Sequence, residues 1–281
     1  MITEYSKKKL IDYLRPNTDV LILFNDHGLG DVVMFMPLYE RLKQMFPDVH
    51  FNLKCNNGQE FFEEIDRNSY NETFYIKFFE FYRWTDIIQN GRLQKVCITV
   101  NESKPEICCN RELGIPFEPS LEYTWQLNKT VHTDIVIPDK TIGVAFQVTS
   151  AQYKNIPYDS AKIVWNTIKE CGYTPLEVHF EHRLKSTNNT KYDFIDNTCR
   201  NYPASVENLI DVINKCNGFI GVNTGSFVMA TCLKQGKTLH MMKIFPFAPG
   251  YKRFNPVPEI DCRQPNFIDK NKIEQYLESL K

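Results

Sequence analysis

Residues 20–46, VLILFNDHGLGDVVMFMPLYERLKQMF, decide how the chain is read. Residues 20–24 are an unbroken apolar run, the pattern of a strand buried on both faces of a parallel sheet. The turn Asn25-Asp26-His27-Gly28-Leu29-Gly30-Asp31 follows, and Gly28 and Gly30 allow its backbone to approach a ligand closely or to take positive φ. Beyond it Val32, Phe35, Met36, Tyr39, Leu42 and Phe46 recur at helical spacing with Glu40, Arg41, Lys43 and Gln44 between them, which predicts an amphipathic helix. Pro37 removes a backbone bond inside the second turn, so a kink or a start delayed toward Phe35 is expected. In an open α/β sheet, ligands bind at the carboxyl end of such a strand, against the N–H groups of the following helix.

Working outward, Leu10, Ile11, Tyr13 and Leu14 form a short amphipathic patch read as a packing helix. Residues 49–53 and 96–100 read as strands, and 105–113 as a helix ended by Gly114. Residues 61–84 carry ten aromatics, including Phe61, Tyr70, Phe78, Tyr82 and Trp84. Core packing is their usual fate, with a platform for stacking sugars or bases as the other reading. The polar stretch 128–140 separates two segments that each open on a strand, so the domain boundary is placed there, between 130 and 131. Past it, strands are expected at 142–146, 176–180, 219–222 and 238–242, and helices at 160–171, 206–216, 227–234 and 269–281. That alternation implies a second parallel sheet.

The chain has 281 residues, is 42% hydrophobic and 24% charged, and has a formal net charge of -1. There is no global basic surplus of the kind that phosphate-backbone binders show. The charge is uneven, however: 15 Lys and Arg stand against 19 Asp and Glu up to Thr130, and 18 against 15 from Val131 onward. A phosphate-bearing ligand is therefore expected to favour the second part. No charged start leads into an apolar signal core and no apolar run approaches the ~18 residues of a membrane span, which suggests a cytoplasmic protein with no integral membrane segment. The nine cysteines include no CxxC pair and fit reduced thiols.

Three stretches carry chemistry. In the first, Gly28-Leu29-Gly30-Asp31 is a poor dinucleotide fingerprint, because Val33 stands at the third glycine and the next strand ends on Lys54 and Asn56 instead of an acid. Asp31 reads as a helix N-cap or an acid interacting with the helix dipole, or else as a general base for an acceptor hydroxyl. In the second, residues 148–157 (VTSAQYKNIP), Lys154 lies in a loop at a strand's carboxyl end, where an ammonium neutralises phosphate or is simply solvated. In the third, Asn223-Thr224-Gly225-Ser226 opens a helix, offering either an anion site or an ordinary capped turn. His179-Phe180-Glu181-His182 is not a zinc-protease motif, and neither a Walker loop nor a GxSxG nucleophile elbow occurs.

In order and spacing the three stretches resemble the ADP-heptose:lipopolysaccharide heptosyltransferase family, glycosyltransferases of the GT-B fold. The first resembles the family's opening of strand, glycine-containing turn, Gly-Asp-Val and helix, here Gly30-Asp31-Val32, through Pro37 and on to Leu42-Lys43-Gln44-Met45-Phe46-Pro47. The second resembles its Lys-x-Trp-Pro element at Lys154-Asn155-Ile156-Pro157. The third, with Val206-Glu207-Asn208-Leu209-Ile210 ahead of it, resembles its donor-binding turn. The resemblance implies an α/β chain of two Rossmann-like parallel-sheet domains facing across a cleft, 1–130 on the acceptor side and 131–281 binding a nucleotide sugar. It implies an inverting, metal-independent transferase with no cofactor, whose partners are a nucleotide-diphosphate sugar and a glycan acceptor of lipopolysaccharide type.

By the same resemblance Asp31 would be the catalytic base, Lys154 would bind donor phosphate, and Thr224 and Gly225 would hold the diphosphate. Asn223 and Ser226 share that donor turn, and Gly28 and Gly30 supply cleft backbone. Three positions depart from the family pattern: Asn223 replaces aspartate, Val228 replaces histidine and Ile156 replaces tryptophan. They imply a different nucleotide sugar, or a noncatalytic nucleotide-sugar-binding protein. A composition rich in Asn, Lys, Ile, Phe and Tyr, with six alanines, suggests an AT-rich genome, including those of many phages. Hydroxymethylated cytosine in DNA is therefore an alternative acceptor.

Overall fold

The computed structural model describes residues 9–24, 29–55, 95–100, 105–117, 133–148, 152–180, 192–234, 236–244 and 257–281. The chain divides into two compact units, Met1–Trp125 and Gln126–Lys281. The turn 25–28 with Gly28, the aromatic stretch 61–84, and Glu181-His182 lie outside the described residues.

The first unit is built on the strand that the sequence singles out. Strand β1 (Asp19–Phe24) is central in a parallel sheet, flanked by β2 (His50–Cys55) and β3 (Lys95–Val100) in the order β2-β1-β3. Asp19 is in register with His50 on one side and Lys95 on the other. Val20 and Ile22 are fully buried, as a central strand requires.

Helix α1 (Leu29–Met45) runs without a break through Pro37, so the start delayed toward Phe35 does not occur. A proline inside a helix costs about 3 kcal/mol. Phe35, Leu38, Tyr39 and Leu42 are all buried on the same helix, and each contributes roughly 1.5–3 kcal/mol on burial. Packing therefore outweighs the lost backbone bond, and Tyr39 adds a hydrogen bond from its hydroxyl to the Phe51 carbonyl at 2.8 Å.

Helix α2 (Pro105–Cys108) continues as a π turn over Cys109–Leu113 and stops at Gly114, whose φ is 76°. A side chain there would be strained, and its Cβ would fall 2.6 Å from Ile11 Cγ2 in the 3₁₀ turn Leu10–Tyr13. Leu10, Leu14, Cys108, Cys109 and Leu113 close the core of this unit beside β1 and α1.

The second unit is a five-stranded, all-parallel sheet in the order β5-β4-β6-β7-β8. Its strands are β4 (Thr141–Ala145), β5 (Thr174–Glu177), β6 (Gly218–Gly221), β7 (Thr238–Met242) and β8 (Glu259–Asp261). Helices α3 (Tyr158–Glu170), α4 (Val206–Lys215), α5 (Gly225–Leu233) and α6 (Lys270–Glu278) connect or follow them.

Strand alternation sorts the side chains by face. Ile142, Val144, Ile220, Leu239 and Met241 join one core with Trp165 of α3 and Ile273 and Leu277 of α6. Phe219 and His240 point the other way, where both rings meet Phe227 of α5. Gly143 makes room for Phe219, since a Cβ on it would lie 2.7 Å from that ring.

Most expected elements appear within a few residues of their predicted bounds. The strand expected at 176–180 instead runs Thr174–Glu177 and includes Pro175. A proline is tolerated there because β5 ends the ladder of named strands. Its outer side is met by the segment around Thr198, with Cys199 N–H donating to the Glu177 carbonyl at 2.9 Å. Strand β8 has no counterpart in the sequence reading. Its three residues, Glu-Ile-Asp, carry one apolar side chain, and they become a strand by pairing with β7.

Candidate functional site

The order β5-β4-β6 fixes where a ligand can sit in the second unit. From β4 the chain moves outward to β5, then returns past β4 to β6, so the direction of winding reverses between β4 and β6. Crevices at the carboxyl ends of two such strands are the ligand sites of open α/β sheets. Ala145 and Gly221 are in register at these ends, and Val222 N–H donates to the Ala145 carbonyl at 3.0 Å.

Both stretches expected from the sequence to bind a donor leave from this edge. After β4 the chain passes Phe146, Gln147 and Val148 and reaches a 3₁₀ turn at Gln152–Lys154. Asn155 fastens the loop, its Oδ1 accepting from Val148 N–H at 2.7 Å, while Ile156 N–H donates to the Phe146 carbonyl at 3.0 Å. Lys154 is half-buried, with its Nζ 6.0 Å from the ring centre of Tyr153, which is 65% exposed. Ile156, at the family's tryptophan position, is buried in the unit's core, where its carbonyl accepts from Tyr192 Oη at 2.6 Å.

After β6, Thr224 caps α5: its Oγ1 accepts from Phe227 N–H at 3.1 Å and lies 2.8 Å from Ser226 Oγ. The first N–H groups of a helix have no carbonyl within it to bond. The cap serves Phe227, so Gly225 and Ser226 present their N–H groups at the helix start, beside two hydroxyls and with no acid in the first turn. Asn223 is exposed, whereas Val228, at the family's histidine position, is 3% exposed and belongs to the interior.

In the first unit Asp31 is the third residue of α1 and half-buried, inside the first turn of the helix that follows β1 and therefore not its N-cap. Gly30 beside it is buried. Sheet order β2-β1-β3 makes the carboxyl end of β1 a switch point as well.

Sequence reasoning missed a buried network next to the β4 end. Glu177, on β5, is almost fully buried and accepts from Arg200 through Nε to Oε2 and Nη2 to Oε1, both at 2.8 Å. Thr198 Oγ1 donates to Oε2 at 2.9 Å, and Gln147 Nε2 donates to Oε1 at 3.4 Å. A glutamate inside a predicted strand is the single sequence signal of this cluster.

A second pair, His240 and Glu259, meets at 2.9 Å across β7 and β8. Burial pulls the His240 imidazole below its ordinary pKa, against the opposing pull of Glu259. The thiols of Cys109, Cys199, Cys216 and Cys262 are buried and are each pushed up to about 12 by desolvation. Among the described residues no group of three or more His, Cys, Asp or Glu is arranged to hold a metal ion. No helix among them is long and apolar enough to cross a membrane.

Neither a protein-family model nor a curated protein sequence matches the chain. Solved structures do. The dodecameric iron-containing heptosyltransferase TibC of enterotoxigenic Escherichia coli, in complex with ADP-D-beta-D-heptose, superposes with a TM-score of 0.57 at 11% identity, over 95% of this chain and 77% of that one. A family 9 glycosyl transferase from Veillonella parvula gives 0.54 at 15% identity, over 98% and 99%. The E. coli heptosyltransferase WaaC with ADP-2-deoxy-2-fluoro heptose gives 0.57 at 10% identity, over 94% and 100%. The α/β fold is thus the fold of heptosyltransferase-type glycosyltransferases, as the motifs imply.

Proposed function

We propose that the protein is a glycosyltransferase that moves a sugar from a nucleotide-diphosphate sugar to an acceptor hydroxyl. One observation carries this reading: Lys154 and the Thr224-Gly225-Ser226 helix start leave adjacent parallel strands at one switch point of a glycosyltransferase fold. An ammonium, two backbone N–H groups and two hydroxyls there suit a diphosphate.

In this reading the second unit holds the donor and stabilises the charge that develops on the departing diphosphate. Asp31 of the first unit takes the proton of the acceptor hydroxyl. The freed oxygen bonds to the anomeric carbon on the face opposite the diphosphate, and the carbon–oxygen bond to phosphate breaks, so the anomeric configuration inverts. Positive charge comes from Lys154 and the helix start, and the reaction is metal-independent. The acceptor is a glycan hydroxyl of the lipopolysaccharide type.

The test is a thermal-shift panel of nucleotide-diphosphate sugars followed by transfer assays. A donor at about a hundredfold above its Kd adds roughly 2.7 kcal/mol of stability. Transfer that persists in a chelator, with an inverted product anomer by NMR, bears out the finer mechanism. Tight donor binding with neither transfer nor donor hydrolysis would instead make the protein a sensor. Salt-dependent binding of hydroxymethylated duplex, with glucosylation of it, would replace the glycan acceptor by DNA.

A further inference from the structure

Gln147 sits two residues past β4, on the same carboxyl edge as the Lys154 loop, and is 5% exposed. Its amide faces the Glu177 carboxylate, Nε2 to Oε1 at 3.4 Å. A carboxylate engaged by Arg200 and Thr198 has no hydrogen to give, so the NH₂ side of the amide must face it and Oε1 is turned away. That Oε1 is buried and meets no hydrogen-bond donor among the described residues. Buried carbonyl oxygens are nearly always paired, and leaving one unpaired opposes folding. An apolar side chain of the same length would avoid the penalty. Gln147 instead carries an acceptor with no donor among the described residues, on the strand edge where a donor substrate is proposed to lie.

We infer that Gln147 reads the bound nucleotide sugar, its Oε1 accepting a hydrogen bond from a hydroxyl or N–H group of that ligand, with Glu177 and Arg200 as positioning residues that fix the amide. The inference rests on the proposed donor site. Phosphate oxygens carry no hydrogen to offer at neutral pH beyond a minor share, so the group belongs to the nucleoside or to the transferred sugar. Gln147 thereby discriminates between donors, while Lys154 and the α5 start hold what all of them share.

The experiment is calorimetric titration of the full chain with ADP, UDP, GDP, CDP and dTDP and with their glucose conjugates, then with Gln147→Met against the tightest pair. The variant is expected to bind about tenfold more weakly, the scale of one lost ligand hydrogen bond. A ligand analogue lacking the contacted group (a deoxyribose, a deaminated base or a deoxy sugar) loses the same factor on the wild type and nothing further on the variant. Weakening already seen with the nucleoside diphosphate places the group on the nucleoside, and weakening confined to the glucose conjugate places it on the sugar.

Affinity within twofold of wild type in Gln147→Met overturns the inference and leaves the donor site standing. A wild type that binds none of these ligands overturns both. Should the variant fail to fold, the wild type alone decides, because indifference to every such analogue also overturns it. Arg200→Ala is expected to shrink the discrimination between ligand and analogue, which loss of a purely stabilising ion pair would not do.

Discussion

The two units make the same opening move and finish it differently. In each, a strand at a switch point runs into a helix, α1 after β1 and α5 after β6. Helix α1 carries Asp31 in its first turn; α5 has no acid there and is capped by the neutral hydroxyl of Thr224. A helix N-terminus attracts negative charge whatever its source. One unit fills that position with its own carboxylate, whereas the other has none there, and the proposed function gives the place to an incoming anion. The same local field thus serves a proposed base in one place and a proposed phosphate cradle in the other.

The largest effect that would break this contrast is on Asp31. Asp31→Asn keeps the size and polarity of the side chain but removes its capacity to take a proton, so transfer is expected to fall by roughly 10²–10⁴. Steady-state kinetics should show the loss in kcat with the donor KM little changed. Near wild-type turnover in a folded variant would remove the base assignment.

A sharper version makes α5 resemble α1. Ser226→Asp places a carboxylate where phosphate is proposed to sit. Nucleoside diphosphate affinity is expected to drop by about tenfold or more, while the helix gains about 0.3–1 kcal/mol from its dipole. Weaker titration together with an unchanged or raised Tm is the signature. Unchanged affinity would place the phosphates elsewhere.

Smaller still, Thr224→Ala removes the cap without adding charge, at about 1 kcal/mol of stability. Urea denaturation should show the shift in midpoint at constant m-value. The smallest effect is a pH dependence from His240. Its folded pKa lies below the unfolded one, so the unfolded chain binds more protons as pH drops through the ordinary imidazole range near 6.5. Stability is full above that range and declines below it, a slope that His240→Phe should flatten in denaturation series at pH 7.5 and 5.5.

Legibility in the sequence followed the range of the interactions. Strand β1 could be read because its burial is written in five adjacent apolar residues, and α6 because Ile273, Tyr276 and Leu277 repeat on one face. Pro37 misled in part, because a local rule about backbone bonds says nothing of the four side chains that hold α1 down. Strand β8 was invisible, since three residues become a strand only when β7 lies alongside. The site divides in the same way. Lys154 and the Asn223–Ser226 turn could be read as strand-to-helix loops. Gln147, Glu177 and Arg200 could not, because Gln147 and Arg200 reach Glu177 from 30 and 23 residues away in sequence.

The buried thiols turn the chain into its own clock. A cysteine whose thiol is pushed up to about 12 and shielded from solvent does not meet a maleimide until its surroundings part. Cys109 reports on the first unit, and Cys199, Cys216 and Cys262 on the second. Peptide-resolved alkylation through a denaturant series therefore times the opening of each half separately, without an engineered label. Adding a nucleotide sugar should slow only the half that holds it.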